Sequence, residues 1–223
     1  MGNSRRSAGS IIAELRKYGN PADVAGMARF GINSHNTLGV KIPVLRKLAK
    51  QTGKDHALAL ALWKSGIHEA RILASMIDAP SLLTAAQMNE WTAQFDSWDV
   101  CDQVCMNLFR ESELAYRKAK EWSGDEREFV KRAGFALMAA LAVGNKKASD
   151  REFEPFFELI AREASDERNY VKKAVNWALR QIGKRNVELR EKAIALSEAL
   201  VQRPSPAARW IGRDALRELT SRR

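Results

Sequence analysis

The stretch Phe95-Asp96-Ser97-Trp98-Asp99-Val100-Cys101-Asp102-Gln103-Val104 places three carboxylates and an indole within about two helical turns. If a helix starts here, two of the carboxylates have structural explanations. Asp96 or Ser97 is a natural N-cap, and Asp99 falls in the first turn, where negative charge complements the helix dipole. Asp102 lies beyond the free N–H groups and shares a face with Trp98 by i,i+4 geometry, with Cys101, Val104 and Cys105 around it. A second tryptophan, Trp177, sits among basic residues in Lys172-Lys173-Ala174-Val175-Asn176-Trp177-Ala178-Leu179-Arg180 rather than in an apolar stripe. An ionised carboxylate stabilises developing positive charge electrostatically, and an indole face does so by cation–π attraction. One aspartate and two tryptophans thus have the composition of a site for a cationic transition state. The structural alternatives are an ion pair between Asp102 and a basic residue of the next helix, and core packing for Trp98.

Other chemistries lack residues. His35, His56 and His68 are scattered, and none stands at i,i+4 with another histidine or a cysteine, so no metal is expected. There is no Gly-rich phosphate loop, no dinucleotide fingerprint and no Gly-x-Ser-x-Gly elbow, and no cofactor is expected. Trp63, Trp91, Trp122 and Trp210 fall within apolar helical spacing and read as core or cap residues, Trp210 least clearly because Arg209 adjoins it.

The elements that must position these residues read as helix nearly throughout. Apolar positions recur at three and four, and Val, Ile and Thr rarely alternate with polar residues. Breaks fall at Gly19-Asn20-Pro21, Gly31 to Pro43, Thr52-Gly53, Ala79-Pro80-Ser81, Phe95-Asp96-Ser97, Ser123-Gly124-Asp125, Gly144-Asn145, Ser165-Asp166, Gly183 and Pro204-Ser205-Pro206, leaving about a dozen short helices. The second half resembles itself. Val130-Lys131-Arg132-Ala133 is echoed by Val171-Lys172-Lys173-Ala174, and Trp177-Ala178-Leu179-Arg180 by Asp214-Ala215-Leu216-Arg217. A degenerate period near forty with one helix pair per unit predicts an all-α solenoid, an α-α superhelix of HEAT-like repeats, over an irregular bundle of the same helices. Lys131, Arg132, Lys172, Lys173, Arg180, Arg209 and Arg213 sit on the repeat-related helices and predict a concave basic face, although each could simply solvate its helix.

Lys and Arg number 37 against 27 Asp and Glu, a formal charge of +10 that favours a polyanionic partner through attraction and counterion release. Cys101 and Cys105, one turn apart, suit reduced thiols on one helix face and a reducing cytoplasm. Met1-Gly2-Asn3-Ser4-Arg5-Arg6 has no apolar stretch behind it for a signal peptide, and Arg6 stands where a myristoylation motif wants Ser or Thr. The longest apolar run, Phe135 to Val143, is about half of the roughly 20 residues a membrane-spanning helix needs, so no membrane partner is expected. Residues 1–223 are expected to form a single repeat domain with short basic tails.

In Asn20-Pro21, Met27-Ala28-Arg29-Phe30, Leu38-Gly39-Val40-Lys41-Ile42-Pro43, Ser97 to Asp102, Val130 to Ala133 and Lys173 to Arg180, the chain resembles the AlkD-like DNA alkylation repair glycosylases, which are built from HEAT-like repeats. The order and spacing of these pieces carry the likeness over nearly the whole chain. The resemblance implies that Asp102 is the catalytic carboxylate, that Trp98 and Trp177 flank the lesion's deoxyribose, and that Arg132 and Arg180 hold backbone phosphates. It implies a lesion left stacked in the duplex, contrary to the usual flipping of a target base. The expected partner is duplex DNA containing alkylated purines, bound by a monomer in the cytoplasm. Breaking an N-glycosidic bond develops oxocarbenium character on the sugar, and an N3- or N7-alkylated purine leaves as a neutral base, so one carboxylate can suffice without a general acid. Phe30 and Lys41 depart from the family pattern, where a tyrosine and a glutamine stand, and Lys41 is kept as a DNA contact. A non-catalytic binder of branched or damaged DNA needs the basic residues but not a carboxylate facing a polyanion. A protein-interaction scaffold, common among helical repeats, needs neither.

Overall fold

The computed structural model describes residues 6–221, which form thirteen α-helices and no strand. The expected basic tails lie outside the described residues apart from Arg6, which pairs with Glu14. The helices are α1 (Ala8–Lys17), α2 (Pro21–Arg29), α3 (Ile42–Thr52), α4 (His56–Lys64), α5 (His68–Ile77), α6 (Ala85–Ala93), α7 (Trp98–Asn107), α8 (Ala115–Ser123), α9 (Glu128–Gly144), α10 (Asp150–Glu163), α11 (Asn169–Gly183), α12 (Val187–Val201) and α13 (Pro206–Thr220). Their starts follow from local chemistry. Asn20, Asp55, Thr84, Asn186 and Ser205 each accept a backbone N–H of the first turn, and Pro21 and Pro206 occupy positions where a missing donor costs nothing.

Two breaks were not anticipated: Ser65-Gly66-Ile67 separates α4 from α5, with Gly66 at φ +69°, and a second falls between Ser97 and Ser123. No interruption is expected between Asp96 and Ser123, yet α7 ends at Asn107, and a 3-10 turn over Phe109–Glu111 leads into α8. The segment holds neither Gly nor Pro. Burial of Leu108 and Phe109, both without exposed surface, turns the chain there instead.

From α3 onward the helices form two rows. The odd-numbered helices pack in succession, α3 on α5, α5 on α7, α7 on α9, α9 on α11 and α11 on α13, while α8 packs on α10 and α10 on α12 in the other row. The even row begins with Trp63 of α4 stacked on Trp91 of α6, ring centroids 4.0 Å apart, and Lys118 of α8 reaches Asn89 of α6. The core runs between the rows. Helix α9 lies in its middle, with Val130, then Arg132 through Ala142, all buried. That explains the apolar run at Phe135 to Val143: a helix enclosed on every side needs no polar face. Among the described residues no helix is long and apolar enough to cross a membrane. Trp63, Trp91 and Trp122 are core residues as expected, whereas Trp210 is 40% exposed, so the core or cap reading does not hold for it. The N-terminal segment is held against α5 by Glu69, which is buried and accepts the backbone N–H groups of Leu38, Gly39 and Val40.

Candidate active site

The start of α7 is built as the residue types suggest, with one difference. Ser97 is the N-cap by backbone conformation but makes no side-chain bond to a first-turn N–H. Asp99 takes that part: its Oδ1 accepts the Val100 N–H and the Ser97 hydroxyl, and its Oδ2 lies 2.8 Å from His68 Nε2 on α5. Burial works against charge on both groups, but their mutual hydrogen bond and attraction prevail, holding the His68 imidazole above its ordinary value and Asp99 below its own. Asp96 accepts a hydrogen bond from Asn33. Asp102 is thus the one carboxylate of the three that points across to α9.

There it meets Arg132. The guanidinium donates from Nε to Oδ1 at 3.0 Å and from Nη2 to Oδ2 at 2.8 Å, and Nη1 donates to the Tyr170 carbonyl at 2.7 Å. The same guanidinium lies 5.9 Å from the centre of the Trp98 ring. The ion pair weighed as the structural alternative for Asp102 is therefore present, and it is bidentate. Burial pushes the Asp102 carboxyl above its ordinary range, with the charge and hydrogen bonds of Arg132 opposing that shift. A carboxylate offers about four lone-pair sites and Arg132 takes two, so acceptor capacity remains toward a ligand. Cys101 and Cys105, one turn apart, are free and buried beneath it.

Trp98 borders two hollows. A cleft of about 220 Å³ is lined by Phe30, Trp98, Arg132, Tyr170 and Lys173, and a larger, mostly apolar hollow of about 740 Å³ lies where Phe30 and Trp98 meet Met27, Ile42, Ile72 and His68. The partition between them is pinned through its backbone. The Trp98 indole N–H donates to the Phe30 carbonyl at 3.1 Å and the Tyr170 hydroxyl to the Gly31 carbonyl at 2.9 Å. Gly31 has φ +73°, and a β-carbon there would sit 2.1 Å from the Tyr170 hydroxyl, so the turn requires glycine. The Phe30 ring is left 76% exposed.

The other expected site residues separate into groups. Trp177 is partly buried against the core on the same face of α11 as Lys173, one turn further on. Lys131 is held by Glu163 and Asp166, and Arg180 by Glu218 and Asp214, so these two, like Arg132, are neutralised by carboxylates. Arg209 donates to the carbonyls of Arg203 and Pro204 at the end of α12. Lys172 lies over the Trp210 ring, Lys173 lines the cleft, and Arg213 is exposed; among the described residues none of the three has a carboxylate partner. Lys41 is exposed, 3.8 Å from Asp23. Among the described residues no group of three or more His, Cys, Asp or Glu comes together that could hold a metal ion.

Tyr170, Phe129 and Gly31 belong to the site and were not singled out in the sequence. The signal was there for two of them: the echo extends back to Asp125-Glu126-Arg127-Glu128-Phe129-Val130-Lys131 and Asp166-Glu167-Arg168-Asn169-Tyr170-Val171-Lys172. In each copy the aspartate accepts from the backbone N–H and the guanidinium of the arginine two residues on, which sets the start of α9 and of α11 alike. The aromatic residues of the two copies then stack, 5.5 Å apart.

Comparison with known proteins agrees with this architecture. The sequence profile of a family described as "DNA alkylation repair enzyme" matches residues 11–219. No curated protein matches the chain. A solved structure described as "a new family of proteins related to the HEAT-like repeat DNA glycosylases with affinity for branched DNA structures" superposes with a TM-score of 0.78 at 20% identity, covering 95% of each chain. The fold is therefore an all-α array of HEAT-like repeats.

Proposed function

The chain belongs to the DNA alkylation repair enzyme family, and from that premise we propose that it is a DNA glycosylase hydrolysing the N-glycosidic bond of cationic N3- and N7-alkylated purines in duplex DNA. One observation carries the reading: Trp98 and Arg132 line a cleft, and the Arg132 guanidinium that faces the Trp98 ring grips Asp102, one turn from Trp98 on α7, by both carboxylate oxygens. With the lesion's sugar in that cleft, the C1′–N bond breaks and its electron pair neutralises the departing base. Asp102 stabilises the oxocarbenium ion electrostatically and Trp98 by its π-face, with Trp177 as the second wall. Water then bonds to C1′ and gives up a proton, leaving an abasic site. Arg132 acts as a positioning residue, since its two parallel bonds fix the plane of the carboxylate. Lys172, Lys173 and Arg213 are the first candidates for phosphate contacts. Lys131, Arg132, Arg180, Arg209 and Lys41 would add to the positive field around the duplex, the paired ones less because their partners offset them.

The bidentate pair itself favours a second reading, a non-catalytic binder of damaged or branched DNA in which Asp102 and Arg132 only rivet α7 to α9. Substrate scope separates the two. Single N7-methylguanine or N3-methyladenine residues in duplex DNA are expected to be released as free base, and neutral hypoxanthine is not, because among the described residues lining the cleft there is no carboxylic acid to protonate a neutral leaving base. Release of none of the three would favour the binder; equal release of hypoxanthine would contradict the proposed chemistry.

A further inference from the structure

The seam between α11 and α13 carries a ladder at one offset, in which position i of α11 faces position i+38 of α13. Asn176 donates to Asp214, and Arg180 pairs with Glu218. One turn toward the helix starts, the same register places Lys172 Nζ 5.4 Å from the centre of the Trp210 ring. Here the partner is an indole rather than a carboxylate, and the ring remains 40% exposed. On the exposed stripe of α13, Arg213 follows Trp210 by three positions. The nearby carboxylates are occupied: Glu167 accepts from the Ser205 hydroxyl and the Ala207 N–H, and Asp214 from Asn176 and Arg217.

On these two helices Lys172, Lys173, Arg209 and Arg213 have no carboxylate partner among the described residues; Arg209 is spent on the carbonyls of Arg203 and Pro204, which leaves Lys172 and Arg213 beside Trp210 and Lys173 in the cleft, while Arg180 and Arg217 further along are paired. Lys173 lines the cleft beside Trp98 and Lys172, the next residue back, lies over the Trp210 ring, so the cleft and the exposed indole are on adjacent faces of the same turn of α11. A net positive patch around an aromatic face fits a polyanion with a planar unit to stack. Base pairs inside a duplex already use both faces, whereas an unpaired base has one to offer.

We propose that Trp210, with Lys172 and Arg213, is a stacking platform for an unpaired nucleotide of a single-stranded arm that continues from duplex held in the cleft. The inference rests on the nucleic-acid reading of the cleft but not on base excision. Its test compares dissociation constants for a blunt duplex and for the same duplex with a single-stranded overhang of mixed sequence, in wild type, Trp210→Ala and Trp210→Phe. The ratio of the two constants in each protein is the readout, and blunt-duplex binding by the same preparation reports a folded cleft. Wild type is expected to prefer the overhang by about fivefold or more, the Ala variant to lose the preference, and the Phe variant to keep most of it. A wild-type ratio of one, or an undiminished ratio in Trp210→Ala, overturns the platform while leaving duplex binding intact. If the wild type binds neither DNA, the nucleic-acid reading fails and the platform with it.

Discussion

Asp102 is a partly buried carboxylate held by one guanidinium, and its titration is the most direct chemical handle on the site. Burial raises its proton affinity and Arg132 lowers it, with burial the larger effect. A stabiliser of positive charge must be ionised, so base release falls as the pH drops through this raised pKa. The acid limb of a single-turnover pH profile is therefore expected above the ordinary aspartate value of about 4. Arg132→Lys keeps the charge but loses the bidentate geometry, and the limb should move to higher pH. A limb at the ordinary value, unmoved in the variant, would mean that Asp102 is not the titrating group. Asp102 was legible because helix-start chemistry accounts for its two neighbours. Its partner was not, since the pair spans thirty positions and nothing local says whether a helical arginine points to DNA or to the next helix.

Apart from the turn at Gly66, the elements were legible where Gly, Pro and capping residues mark them and less so where burial does the work, as at Leu108 and Phe109. The repeat echo was readable in part. Its Val-Lys core is visible as a match, but the preceding aspartate-arginine grip looks like ordinary surface charge until the backbone shows both copies closing the same turn. The close contact of α8 with α9 is a further consequence of repeat packing. A β-carbon at Gly134 would lie 2.5 Å from the Ser123 nitrogen and 2.8 Å from its α-carbon, backbone that cannot swing away like a side chain. Gly134→Ala is thus expected to destabilise the fold by about 1–3 kcal/mol although alanine is the better helix former. Urea unfolding measures this, and unchanged stability would show that the two helices separate at little cost.

For the whole molecule, the two-row array explains why a strongly basic chain can place an acidic group among its odd-row helices. Successive odd-numbered helices are tied by charged and polar pairs, His68 to Asp99, Arg132 to Asp102, and Arg180 to Asp214 and Glu218. Part of the positive charge expected on the repeat helices is consumed in those ties. What remains unpaired on α11 and α13 lies beside the cleft and Trp210, on one side of the carboxylate proposed to act on the sugar. A catalytic role requires that this carboxylate do more than hold two helices together. Asp102→Asn preserves shape and can still accept one of the two Arg132 hydrogen bonds while removing the charge. The measurement is single-turnover release of N7-methylguanine from duplex DNA by wild type and by Asp102→Asn at saturating protein, with DNA binding followed in parallel. The expected result is comparable binding with release slowed at least tenfold in the variant, about 1.4 kcal/mol of barrier or more. Release at the wild-type rate by the variant would contradict the assignment of Asp102 as the stabilising charge.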